Sequence, residues 1–170
     1  MRRVLAGLGI LAMAAAATPG LAQEDDPILG IWTTEEQAEI TVAYCPQGLC
    51  GYLSRIVIPE EYADSQDKID AIGIENITDV KNKDPALRTR PLLGMPLLTL
   101  GRQLSATAFE GEIYNPEDGN TYYGKLQLVD LQRIKLTGCA LIVLCQDIEW
   151  YRVPSDSPPP YPAAATSRPS

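Results

Sequence analysis

The residues best placed for chemistry are four cysteines in two tight pairs, Cys45 with Cys50 and Cys139 with Cys145. Thiols this close oxidise to disulfides or hold a soft metal ion. Four and five residues intervene within the two pairs, whereas a zinc knuckle sets its thiolates about two to four residues apart. Oxidation is therefore expected, in an oxidising compartment. Three pairings are open to four cysteines, and two local loops are the simplest. Each loop would stabilise the chain by about 2 kcal/mol through loop closure.

The chain contains no histidine. That excludes a Ser-His-Asp triad, a Cys-His dyad and histidine-held metals. No Gly-rich phosphate loop follows a strand and opens a helix. Asp79, Asn82 and Asp84, or Asn115, Glu117 and Asp118, offer the oxygen ligands calcium takes. Neither run has the Gly and Glu positions of an EF-hand loop, and carboxylates in turns commonly cap backbone N–H groups. Asp147 and Glu149 share a strand face, as glycosidase acids sometimes do. No residue set, however, supplies a nucleophile with its base. No catalytic residue, metal or cofactor is expected, and a carboxylate-based hydrolase of envelope polymers is the remaining enzymatic alternative.

One polar cluster supports a binding hypothesis. In an extended segment, Arg88 and Arg90 would project to one side. Two guanidinium forks so placed suit a carboxylate or phosphate. The alternative is that they pair with Asp79, Asp84 or Asp118 and pin a long loop. Asn82, Asp84, Arg88 and Arg90 are thus the candidate residues for anion binding or loop pinning.

The elements that must position these groups read mostly as short strands. Apolar or alternating runs cover 28–33, 39–44, 49–58, 106–114, 121–129, 133–138 and 147–153. Pro46-Gln47-Gly48 and Asn115-Pro116-Glu117-Asp118-Gly119-Asn120 separate them as hairpin turns. Regular spacing of this kind predicts an all-β antiparallel barrel or sandwich. The stretch 59–96 is the exception: a short helix is expected within 60–72, then turns. Trp32 and Trp150 near the first and last strands are expected in the core, and Tyr114 and Tyr122 as a cross-strand pair.

Met1-Arg2-Arg3, the apolar run Val4–Ala17 and the small residues up to Ala22 have the form of a secretion signal. The run is too short for a membrane span, which needs roughly 20 residues. Residues 1–22 are therefore expected to be removed, 26–153 to fold, and the Pro-rich 154–170 to remain disordered. The net charge of −8 opposes binding to nucleic acid or anionic lipid. A periplasmic or secreted protein is expected, with no membrane span after cleavage.

Several of these segments together resemble the secreted bacterial family DUF2147. They are Gly30-Ile31-Trp32-Thr33, the turn from Cys45 to Gly51, and the central stretch from Asn82 to Gly94. They continue with Gly111–Tyr122, Leu136-Thr137-Gly138-Cys139, Cys145 and Trp150-Tyr151-Arg152-Val153. Pro46-Gln47 and Phe109 depart from the family pattern. The resemblance implies a small lipocalin-like barrel exported to the periplasm or beyond, and carries no catalytic residue with it. The reading is a non-enzymatic barrel that binds a small apolar or amphipathic ligand or an envelope component. The alternative is a structural module that contacts an envelope protein.

Overall fold

The computed structural model describes residues 26–57, 66–140 and 144–154. The segment 1–22 read as a secretion signal and the tail after Pro154 lie outside the described residues. Eight antiparallel strands form a closed barrel in which each strand pairs with its sequence neighbours. They are β1 (Gly30–Thr33), β2 (Glu39–Cys45), β3 (Gly48–Arg55), β4 (Pro96–Ser105), β5 (Ala108–Asn115), β6 (Asn120–Asp130), β7 (Arg133–Ala140) and β8 (Leu144–Arg152). β1 closes the ring against β8 through Trp32 opposite Arg152 and Thr33 opposite Tyr151.

Side chains alternate between lumen and outer wall because the strand period is two. Ile40 and Val42 of β2, Leu98 and Leu100 of β4, and Ile134 and Leu136 of β7 all enter one core. Trp32, Phe109, Leu126 and Trp150 join them. Removing such side chains from water stabilises the fold by roughly 1.5–3 kcal/mol each. Small residues make room: Ile113 leans over Gly124, where a Cβ would overlap its Cδ1 methyl. The lumen is therefore packed by the chain's own side chains where the sheet is most regular.

The seven expected strands are present within a few residues of their expected limits. An eighth, β4, was not expected. Its Leu97-Leu98 pair interrupts the alternation, Pro96 stands at its head, and its register with β5 slips between Thr99 and Arg102. A bulge of that kind destroys the period-two signal. β3 ends at Arg55 rather than Ile58, and the expected helix is α1, Gln66–Ile72. Tyr114 and Tyr122 do not pair. Tyr114 lies opposite Thr121, and Tyr122 opposite Ile113. The one-residue offset sends the two tyrosines to opposite faces.

The long connection from β3 to β4 is held along its return. Thr78 bridges to Pro91, the Leu92 amide donates to the Ile77 carbonyl at 2.8 Å, and the Gly94 amide donates to the Leu53 carbonyl at 2.7 Å. Residues 77–92 thus form a tongue lying on the outer wall of the barrel near the β5–β6 turn.

Candidate functional site

The tongue is centred on Asp79, a carboxylate only 1% exposed. A buried charge must be paired to persist. Two groups of the tongue and one of the barrel wall supply the partners. Tyr114, on the outer face of β5, donates its hydroxyl to Asp79 Oδ1 at 2.6 Å. Asn82 Nδ2 donates to Oδ2 at 2.7 Å, and Arg90 Nε donates to the same oxygen at 3.0 Å. The Arg90 guanidinium also stacks over the Tyr114 ring, 5.0 Å from its centroid. Burial pushes the Asp79 carboxyl upward, but bonds from Tyr114, Asn82 and Arg90 outweigh it and hold the group below its ordinary value. Burial, and then the bond to Asp79, raise the Tyr114 phenol.

Backbone geometry locks the same cluster. Pro85–Leu87 is a 3-10 turn whose cap, Asp84, accepts the Ala86 amide at 2.9 Å. Arg88 follows in helical conformation and donates from Nε to the Asn82 carbonyl at 2.8 Å. The segment is consequently not extended, and Arg88 and Arg90 do not form a two-pronged anion fork. Gly119 in the β5–β6 turn has φ +71°, and a Cβ there would overlap the Lys81 carbonyl. The tongue sits directly on that turn. Asp118 is engaged by Tyr122, whose hydroxyl donates to it at 2.5 Å, and by the Asn120 amide at 2.8 Å.

Between tongue and wall lies a cleft of about 450 Å³. Asn82, Asp84, Leu87 and Arg90 form one side, and Leu97, Thr99, Glu112, Tyr114 and Thr121 the other. Of the sequence candidates, Asn82, Asp84, Arg90 and Tyr114 come together here. Arg88 anchors the tongue from behind. Glu112 was not singled out, although its alternation with Ile113 placed it on the outer wall.

Trp32 and Trp150 lie in the core, as expected. Trp32 is fully buried and donates from Nε1 to the Ile28 carbonyl at 3.0 Å. Arg152 stacks on its ring at 4.1 Å and donates to the carbonyls of Leu131, Leu29 and Pro27. That anchor closes the barrel end opposite the tongue. Asp147 and Glu149 stand on the exposed outer wall of β8, bound to Lys135 and Thr137 and to Arg133. The two disulfides join Cys45 to Cys50 and Cys139 to Cys145, one at each end of the barrel. No helix among the described residues is long and apolar enough to cross a membrane.

Among solved structures, the fold is similar to protein HP1028 from Helicobacter pylori, described as belonging to the lipocalin family. The TM-score is 0.59 at 18% identity, over 75% of this chain and 83% of that one. A comparison with curated proteins yields no match. The likeness shows a lipocalin-like barrel, and at this identity the fold alone. The family model of an uncharacterized protein conserved in bacteria, DUF2147, matches residues 30–152, and the chain belongs to that family.

Proposed function

We propose that this is an exported, non-enzymatic binding module that holds a small amphipathic envelope component in the cleft outside its barrel. The folded unit would be residues 26–153, released from its signal at residue 22. One observation carries the reading: a cleft of about 450 Å³, well within the usual range for ligand sites, is framed by a tongue that a buried carboxylate network holds rigid. Preorganised walls reduce the entropy lost on binding. The lumen, by contrast, is occupied by Trp32, Ile40, Leu98, Leu126 and Trp150. Arg90 serves Asp79, which supports tongue pinning over anion capture for the arginine pair.

Native mass spectrometry of the protein purified from its own periplasm tests this. The expected result is a retained small-molecule adduct, lost when Thr99→Trp fills the cleft. An adduct that survives Thr99→Trp would overturn the reading. A packed lumen also suits a module that contacts an envelope protein, and a stoichiometric protein partner without any small adduct would establish that alternative.

A further inference from the structure

One carboxylate on the cleft wall is not used by the fold. Arg90 is bound to Asp79, Asp84 caps its own turn, and Lys83, also on the lining, lies close enough to Asp118 to help hold that carboxyl down. Glu112 makes no ion pair or side-chain hydrogen bond among the described residues and is exposed on the outer face of β5. A carboxylate that contributes nothing to folding, on the wall of a built cleft, is available to a ligand. Directly opposite it on β6 stands Tyr123, whose side is 55% exposed. Register partners share a face of the sheet, so Tyr123 stands on the same outer face as the carboxylate, one strand over and next to the residues that line the cleft. Thr99, the partner of Glu112 on β4, adds a hydroxyl, and Asn120 and Thr121 add an amide and a second hydroxyl.

This set selects by charge and by shape. An anionic ligand would meet Glu112 on a chain of net charge −8, with the Arg90 guanidinium already engaged by Asp79 and Lys83 drawn to Asp118. A long lipid tail would find apolar lining only at Leu87, Pro96 and Leu97. A ligand with many hydroxyls and one ammonium group satisfies every element. The ammonium pairs with Glu112 and lies near an aromatic face, which attracts cations. The hydroxyls meet Thr99, Asn120 and Thr121, and the ring lies flat against Tyr123. We propose that the cleft recognises a hexosamine unit with a free amino group, carried on a glycan. This inference rests on the cleft being the binding site, as proposed above.

The test is a titration of the 15N-labelled mature chain with chitosan tetrasaccharide at about 0.15 M salt, where long-range attraction between exposed charges is screened. Cellotetraose serves as the neutral comparison. Saturable shifts are expected at the amides of Thr99, Glu112, Asn120 and Thr121. Glu112→Gln should weaken binding tenfold or more, and Tyr123→Ala at least threefold. Asp147→Asn, on the β8 wall, should leave it unchanged. Glu112 and Tyr123 are both exposed, so an unaltered amide spectrum outside the cleft certifies folding. Shifts spread over the β8 wall, or affinity indifferent to Glu112→Gln, or equal binding of cellotetraose, would each overturn the hexosamine. A sugar-free fraction of the protein's own envelope extract that shifts these four amides would refute the sugar and retain the cleft. If neither probe nor any extract fraction shifts them, both readings fall.

Discussion

Among the described residues two arginines stack on aromatic rings, at opposite ends of the barrel, and they are held in different ways. Arg152 lies over Trp32 and spends its donors on backbone carbonyls. Arg90 lies over Tyr114 and spends its donors on a buried carboxylate. The first anchor joins strand ends that the barrel cannot close without. The second ties down a tongue that lies outside the ring of strands. One device therefore serves closure at one end and site-building at the other, and the two should fail differently.

The largest effect is expected at the closing end. Trp32→Ala removes a fully buried indole and should cost about 3–5 kcal/mol, as large-to-small core changes do. The loss should appear in urea melts as one cooperative transition at lower denaturant, with no separate release of the tongue. A two-step melt would show that the ends are less distinct than the geometry implies.

Next in size is Arg90→Ala. It strands the Asp79 charge, and breaking a buried pair from one side costs roughly 3–5 kcal/mol. Here the value should fall at the low end, because the loop can release and hydrate the carboxylate. Hydrogen exchange separates this from the tryptophan case: amides of residues 77–92 should lose protection while those of β7 and β8 keep theirs. Uniform loss across the barrel would contradict the division into two anchors.

Gly119→Ala acts on the tongue from beneath. The residue holds φ +71° and its Cβ would meet the Lys81 backbone. Left-handed backbone in a non-glycine residue costs on the order of 1 kcal/mol, and displacement of the tongue adds a similar amount. About 2 kcal/mol is expected by thermal melting, together with loss of tongue protection. A neutral substitution would mean that the tongue rides freely above the turn.

The two anchors were unequally legible from sequence. Pairing of Arg90 with Asp79 was one of three stated options, because an acidic stretch beside two arginines leaves few partners. Tyr114 was misplaced as half of an aromatic pair. Its face depends on register, and register follows from a four-residue turn at 116–119 that period-two alternation does not reveal. The alternation over 106–114 separates Ile113 from Tyr114 without saying which of them faces in. The Arg152–Trp32 contact was missed altogether, since 119 residues lie between them and only barrel closure brings them together. β4 escaped for a local reason, its bulge between Thr99 and Arg102. Glu112 escaped for a chemical one: an unpaired surface carboxylate looks ordinary until a cleft forms around it.

Acid should distinguish the anchors with the smallest perturbation. Asp79 is held below its ordinary value of 3.8 in the folded state. A depressed carboxyl contributes stability that is fully present above the unfolded value and is lost as pH falls through the folded one. The tongue should therefore loosen below pH 3.8. Arg152 binds carbonyls, which do not titrate, so the closing end should hold. The effect is smaller than that of Arg90→Ala because a protonated Asp79 is neutral and keeps some of its hydrogen bonds. Alkali cannot substitute for acid. Tyr44 at the closing end, bonded to Asp26, is raised to about 12, and Tyr114 is raised as well. Each raised phenol stabilises the fold fully below 10.0 and loses that contribution as pH climbs through its folded value, so both ends weaken together. Amide protection followed from pH 6 to 3 should thus fall first at residues 77–92, and in Asp79→Asn that acid step should vanish. If the step persists in Asp79→Asn, another carboxylate controls the tongue, and Asp118, also lowered and in the turn beneath it, is the one to substitute next.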